Sequence, residues 1–131
     1  MGVLVGWDDE TKRSIRLNLE GLWTWDELER AALECVDLAK SLDYRINVIV
    51  NFTHSGPLPL GVIPRSRKVI VLLMPHLELL IVVNGDAFVN LMAVVFQHVH
   101  PGLGEVVRTT TSLEKARLFF CREAPSTDLR V

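Results

Sequence analysis

The chain of 131 residues is 49% hydrophobic and 23% charged, with a formal net charge of −2, the balance of one soluble domain that buries roughly two-thirds of its unfolded surface. The slight negative charge supplies no general attraction to phosphate backbones, so nucleic acid is not an expected partner. No apolar run approaches the ~20 residues that cross a bilayer, and no basic stretch leads into a long apolar one as in a signal peptide, so a cytoplasmic location without an integral membrane span is expected.

The first elements read as a β-hairpin: "VLVGW" and "IRLNLEG" enclose the polar "DDETKRS", and Ile15, Leu17 and Leu19 alternate with Arg16 and Asn18 as in a strand with one wet face. Thr24-Trp25-Asp26-Glu27 has the spacing of a capping box. Behind it Leu28, Ala31, Ala32, Cys35, Leu38, Ala39 and Leu42 form the single apolar stripe of a long helix. "RINVIVNF" carries almost no polar alternation, the pattern of a strand covered on both faces. From Pro64 to Met74 the composition suits a strand or a helix, and a helix is favoured because Pro64 fits a first turn and Pro75 a stop.

"LELLIVV" (Leu77 to Val83) is a second buried strand, and Asn84-Gly85-Asp86 turns the chain. Asp86 is placed to cap a helix over "AFVNLMAVVFQHVH", which Gly102 and Gly104 end. "EVVRT" is a short strand, and Thr111 with Glu114 reads as a second capping box for a closing helix through Leu113, Ala116, Arg117 and Phe120. The order β-β-α-β-α-β-α-β-α implies right-handed crossovers and a mostly parallel sheet, an α/β class fold. One domain over 1–122 and a tail over 123–131 are expected.

In such sheets ligands gather beyond the carboxyl ends of the strands. The polar connectors there are the segment from Asn51 to Leu60, the turn Asn84-Gly85-Asp86, and Thr109-Thr110-Thr111. Asn51, Thr53, His54, Ser55, Asn84 and Asp86 are therefore the candidate binding residues. Arg65, with Arg67 and Lys68, is either a solvated helix face or an anion-contacting rim at a helix start. No acidic partner or oxyanion motif accompanies Thr53, His54 and Ser55, so no catalytic residue is assigned. His98 and His100 point about 200° apart on a helix and form no ligand set with His76, so no metal or other cofactor is expected. Cys35 and Cys121 lie far apart and read as reduced core thiols. Trp25 is placed to staple the first helix to the sheet, and Trp23 to pack on the hairpin.

"LEGLWTWDELERA", "RINVIVNFTHSGPLPLG", "AFVNLMAVVF" and "TSLEKARLFF", in that order and spacing, resemble the SpoIIAA-like branch of the STAS, or anti-sigma-factor antagonist, fold. The resemblance spans most of the chain and implies a mixed sheet of four to five strands packed with four helices. It also implies a non-enzymatic protein-interaction and regulatory module. Antagonists of this type carry a phosphorylatable serine in an Asp-Ser-Ser-Gly type motif; here His54-Ser55-Gly56 is followed by prolines. The motif does not carry over residue by residue, and Ser55 or Thr53 is an acceptor by position only. The apolar surfaces "VIVLLMP" and "FVNLMAVVF" exceed what a small sheet covers, which implies either a homodimer or a carrier that holds a small apolar, lipid-like ligand between helices.

Overall fold

The computed structural model describes residues 2–85 and 106–123. Strands β1 (Gly2–Trp7) and β2 (Ser14–Glu20) lead into helix α1 (Trp25–Lys40), strand β3 (Ile46–Asn51) and helix α2 (Val62–Leu73). A 3-10 turn, Met74–His76, feeds strand β4 (Leu77–Val83), and strand β5 (Val107–Thr110) precedes helix α3 (Leu113–Glu123). The strands form one sheet in the order β1-β2-β3-β4-β5. The hairpin pair β1–β2 is antiparallel, and each later pair is parallel. The expected mixed α/β sheet is thus present with three of its four helices; the helix expected over 87–100 lies outside the described residues.

Side-chain alternation sorts the strands onto two faces. Ile15, Leu17, Leu19, Ile46, Val48 and Leu80 join Leu28, Ala32 and Cys35 of α1 and Val69 and Leu73 of α2 in one core layer. Ile49, Leu79, Ile81 and Val83 pack with Ala116 of α3 on the opposite side. β3 and β4 are therefore buried from both directions, which is why their sequences lack polar alternation. The second face of β2 is instead polar, with Ser14, Arg16 and Asn18 paired to Asn47, Ile49 and Asn51 of β3.

Local signals explain the helix boundaries. The Thr24 hydroxyl accepts from the Glu27 amide at 3.1 Å, and the Glu27 carboxylate accepts from the Thr24 amide at 2.8 Å. Two amides that α1 would leave orphaned are thereby satisfied. α2 begins after Gly61, whose φ of +83° lies where glycine carries no Cβ penalty. Pro75 falls in the 3-10 turn that delivers the chain straight into β4, so no separate loop is needed.

The start of α3 corrects the sequence reading. Its cap is Ser112, not Thr111: the Lys115 amide donates to Ser112 Oγ at 3.1 Å and the Ala116 amide to the Ser112 carbonyl at 3.0 Å. The cause is the length of β5, which stays paired to Thr110 opposite Val83. That places Thr111 in the turn, and its hydroxyl instead meets the Lys115 ammonium at 3.2 Å.

Cys35 is fully buried in α1. Burial, reinforced by the neighbouring Glu34 charge, pushes its thiol up to about 12, so it remains an uncharged core group at physiological pH. The side chain of Cys121 lies outside the described residues.

Candidate functional site

The carboxyl ends of β3, β4 and β5 remain zipped past their last ladder residues. The Phe52 amide donates to the Val83 carbonyl at 2.8 Å, and the Asn84 amide to the Thr110 carbonyl at 2.9 Å. The three following connectors are thus delivered side by side to one rim, where a cleft of about 390 Å³ opens. Asn51, Thr53, His54 and Asn84 line it from the β3 and β4 ends, with Ser112, Glu114 and Arg117 of the α3 start facing them.

One hydrogen-bond chain orders this rim. Asn84 Nδ2 donates to Thr53 Oγ1 at 2.9 Å, and Thr53 Oγ1 donates to Asn51 Oδ1 at 2.6 Å. The Thr53 amide also donates to Asn51 Oδ1, at 3.1 Å, and Asn51 Nδ2 donates to Asn18 Oδ1 at 2.9 Å. Residues from the ends of β2, β3 and β4 are therefore coupled through an exposed threonine and a buried asparagine. Asn84 itself adopts φ +54°, a left-handed conformation that asparagine tolerates better than most residues.

The 51–61 segment is held by two tryptophans. Trp23 is 3% exposed and Trp25 6%, and their rings meet edge to face with centroids 4.9 Å apart, a favoured aromatic geometry. The Trp23 indole donates to Ser55 Oγ at 2.8 Å, and the Trp25 indole to the Pro59 carbonyl at 3.3 Å. The Gly21 amide donates to the His54 carbonyl at 2.9 Å, and the Gly56 amide to the Gly21 carbonyl at 2.8 Å. A Cβ on Gly56 would sit 2.8 Å from that Gly21 oxygen, so the close approach requires glycine here.

At the other end of the sheet's α3 face, the Asp8 side chain is 1% exposed and gathers two arginines. Arg117 Nε and Nη2 reach its two oxygens at 3.0 and 2.9 Å, and Arg16 Nη1 donates at 3.0 Å. The Arg117 hydrogen bonds hold the Asp8 carboxyl below its ordinary value against burial, which pushes it up. Arg117 thus lines the cleft while its guanidinium is fastened to the hairpin.

The expected site residues separate into three groups. Asn51, Thr53, His54 and Asn84 come together at the cleft. Ser55 turns away: it is half-buried, receives the Trp23 indole, and donates its own proton to the Gly56 carbonyl at 2.8 Å. That hydroxyl proton is engaged by a carbonyl and not by His54, so the pair does not form a nucleophile with its base. Arg65 is not among the cleft residues; it joins α2 to α1 through Asp26 at 2.7 Å and Glu29 at 2.9 Å. Asp86, His98 and His100 lie outside the described residues.

Asn18, Glu114 and Arg117 were not among the expected site residues. The polar face of β2 hints at Asn18 and the one-turn spacing of Glu114 and Arg117 at the others, but only the tertiary fold brings them to the rim.

No protein-family model matches the chain, and no curated protein matches it. Its architecture recurs among solved structures. One is an uncharacterized DUF3478-family protein with a SpoIIAA-like fold from Shewanella loihica PV-4, at TM-score 0.66 and 12% identity over 92% of this chain and 94% of that one. Another is the Bacillus cell fate determinant SpoIIAA in its phosphorylated form, at TM-score 0.60 and 14% identity over 90% of this chain and 98% of that one. The chain therefore has a SpoIIAA-like fold.

Proposed function

We propose that this protein is a non-enzymatic, cytoplasmic regulatory module, a single domain over 1–122 that works by contact with a protein partner at the strand-end rim. The observation that carries the reading is the Asn84–Thr53–Asn51–Asn18 chain, which presents an exposed hydroxyl on a rigid frame. Preorganised polar groups of this kind suit recognition, since little ordering entropy remains to be lost on binding. The similar SpoIIAA structure is of a phosphorylated form, which supports a modifiable hydroxyl here as well. Of the two acceptors suggested by position, Thr53 fits better than Ser55, because it is exposed and its modification leaves the Trp23 contact intact. A phosphate on Thr53 would end the proton donation to Asn51 and bring about −1.5 to −2 charges to the rim.

The test compares partner retention from the host by the wild type and by Thr53→Glu, each checked for an unchanged fold. The glutamate variant is expected to lose at least about tenfold in affinity, as a charged intruder in an interface core does. Equal retention by both forms, and by His54→Ala, would move the contact surface elsewhere.

A homodimer belongs to the same reading, and β1 supplies its edge. This strand, "GVLVGW", ends the sheet among the described residues and carries no charge and no proline, with Leu4 half exposed. Such an edge favours pairing, and antiparallel addition of a second β1 satisfies two-fold symmetry. In sedimentation at micromolar concentrations the wild type is expected as a dimer and Leu4→Lys as a monomer. A wild type that stays monomeric contradicts this part.

A further inference from the structure

An apolar cavity of about 100 Å³, partly open to the outside, lies beneath the 51–61 segment, between α1, α2 and the β3–β4 face. Trp25, Phe52, Leu58, Val69 and Leu80 are among its walls, and Ser66 is the polar lining residue among those described. The Ser66 hydroxyl donates to the Val62 carbonyl one turn back along α2, which leaves the cavity surface greasy.

The walls are braced from outside. Arg65 bonds Asp26 and Glu29, and Lys68 reaches Glu29 at 3.3 Å, fixing α2 against α1. The Trp25 indole holds the Pro59 carbonyl, and the β3–β4 ladder fixes the floor.

Size and chemistry define the occupant. A dry apolar cavity of about 150 Å³ takes up benzene or xenon, whereas drug-sized ligands need about 300 Å³ or more. A charged or strongly polar guest would be stranded without partners. We propose that this cavity is a binding site for a compact, uncharged apolar molecule of about six heavy atoms, and that it is too small to take up an extended acyl chain whole. The proposal stands apart from the rim: the cavity would bind such a molecule whether or not a protein docks at Thr53.

Benzene is the probe, titrated into the full chain while methyl and indole resonances are recorded. The site predicts saturable shifts at millimolar benzene, confined to the lining methyls, those of Leu58, Val69 and Leu80 among them, and to the Trp25 ring, with a rise in melting temperature. Decanoate at the same concentrations is expected to shift them less than benzene does. Val69→Phe and Leu80→Phe each fill the space and should abolish the benzene shifts while far-UV circular dichroism stays native. Xenon competition with the wild type decides the question without a variant, since xenon should reverse the benzene shifts. Shifts that are absent, that scatter over the surface, that persist under xenon, or that decanoate reproduces at the same methyls would overturn the proposal.

Discussion

Replacing Trp23 with Ala is expected to destabilise the protein by about 3–5 kcal/mol, the range for emptying a buried aromatic site, or on the order of 10–20 °C in melting temperature. Trp23 is 3% exposed, packs on Trp25 and Phe52, and donates to Ser55. Its loss therefore removes core volume and frees the 51–61 segment at once. Two milder variants separate these effects. Trp23→Phe keeps much of the ring but removes the donor to Ser55 Oγ, which retains its bond to the Gly56 carbonyl, for about 1 kcal/mol. Ser55→Ala leaves a buried indole N–H unpaired, for about 1–3 kcal/mol. If the hydrogen bond anchors the segment, the two changes combined should cost less than their sum, and each should speed limited proteolysis between Thr53 and Leu60. Additive effects without faster cleavage would assign Trp23 to packing alone.

Asp8→Asn is the second large effect, with an expected loss of about 2 kcal/mol at neutral pH, within the range for hydrogen bonds to a charged group. The carboxylate is 1% exposed, while Arg16 and Arg117 are 31% and 45% exposed. Solvent screening at the arginine side keeps the figure well below that of a fully buried pair. The pH dependence has a definite sign. Because the folded Asp8 pKa is lowered from the ordinary 3.8, its contribution is complete above that value and disappears as pH falls through the folded one. Wild type and variant should thus differ in urea midpoint at pH 7 and converge in acid below about pH 4. A gap that persists unchanged into acid would show that the variant acts through packing, not through charge.

Local chemistry made much of the architecture legible. The Thr24–Glu27 capping box, the α1 stripe and the unalternated runs of β3 and β4 each follow from short-range rules. The rim was legible for a related reason: where an apolar strand stops, its polar exit must sit at the sheet's end, and the structure sets Asn51, Thr53, His54 and Asn84 at that end. Long-range partnerships were not legible. Asp8 and Arg117 are 109 residues apart, and Trp23 and Ser55 are 32 apart; no local pattern encodes either meeting.

Two positions show where short-range rules compete. Thr111 and Ser112 both suit a cap, and the choice fell to Ser112 because β5 extends to Thr110 under the pull of β4 pairing. Arg65 suited a rim at a helix start, yet the acidic face of α1, with Asp26 and Glu29, lies within its reach and captures it. In each case a tertiary partner outweighed a plausible local role.

The convergence of the β3, β4 and β5 exits on one rim is tested most directly by nuclear Overhauser contacts in solution. Contacts are expected from the Thr53 side chain to the Asn84 side-chain amide and from the Asn51 side-chain amide to Asn18, with slowed exchange of the Phe52 and Asn84 backbone amides. Absence of the Thr53–Asn84 contact, with both backbone amides exchanging freely, would contradict it.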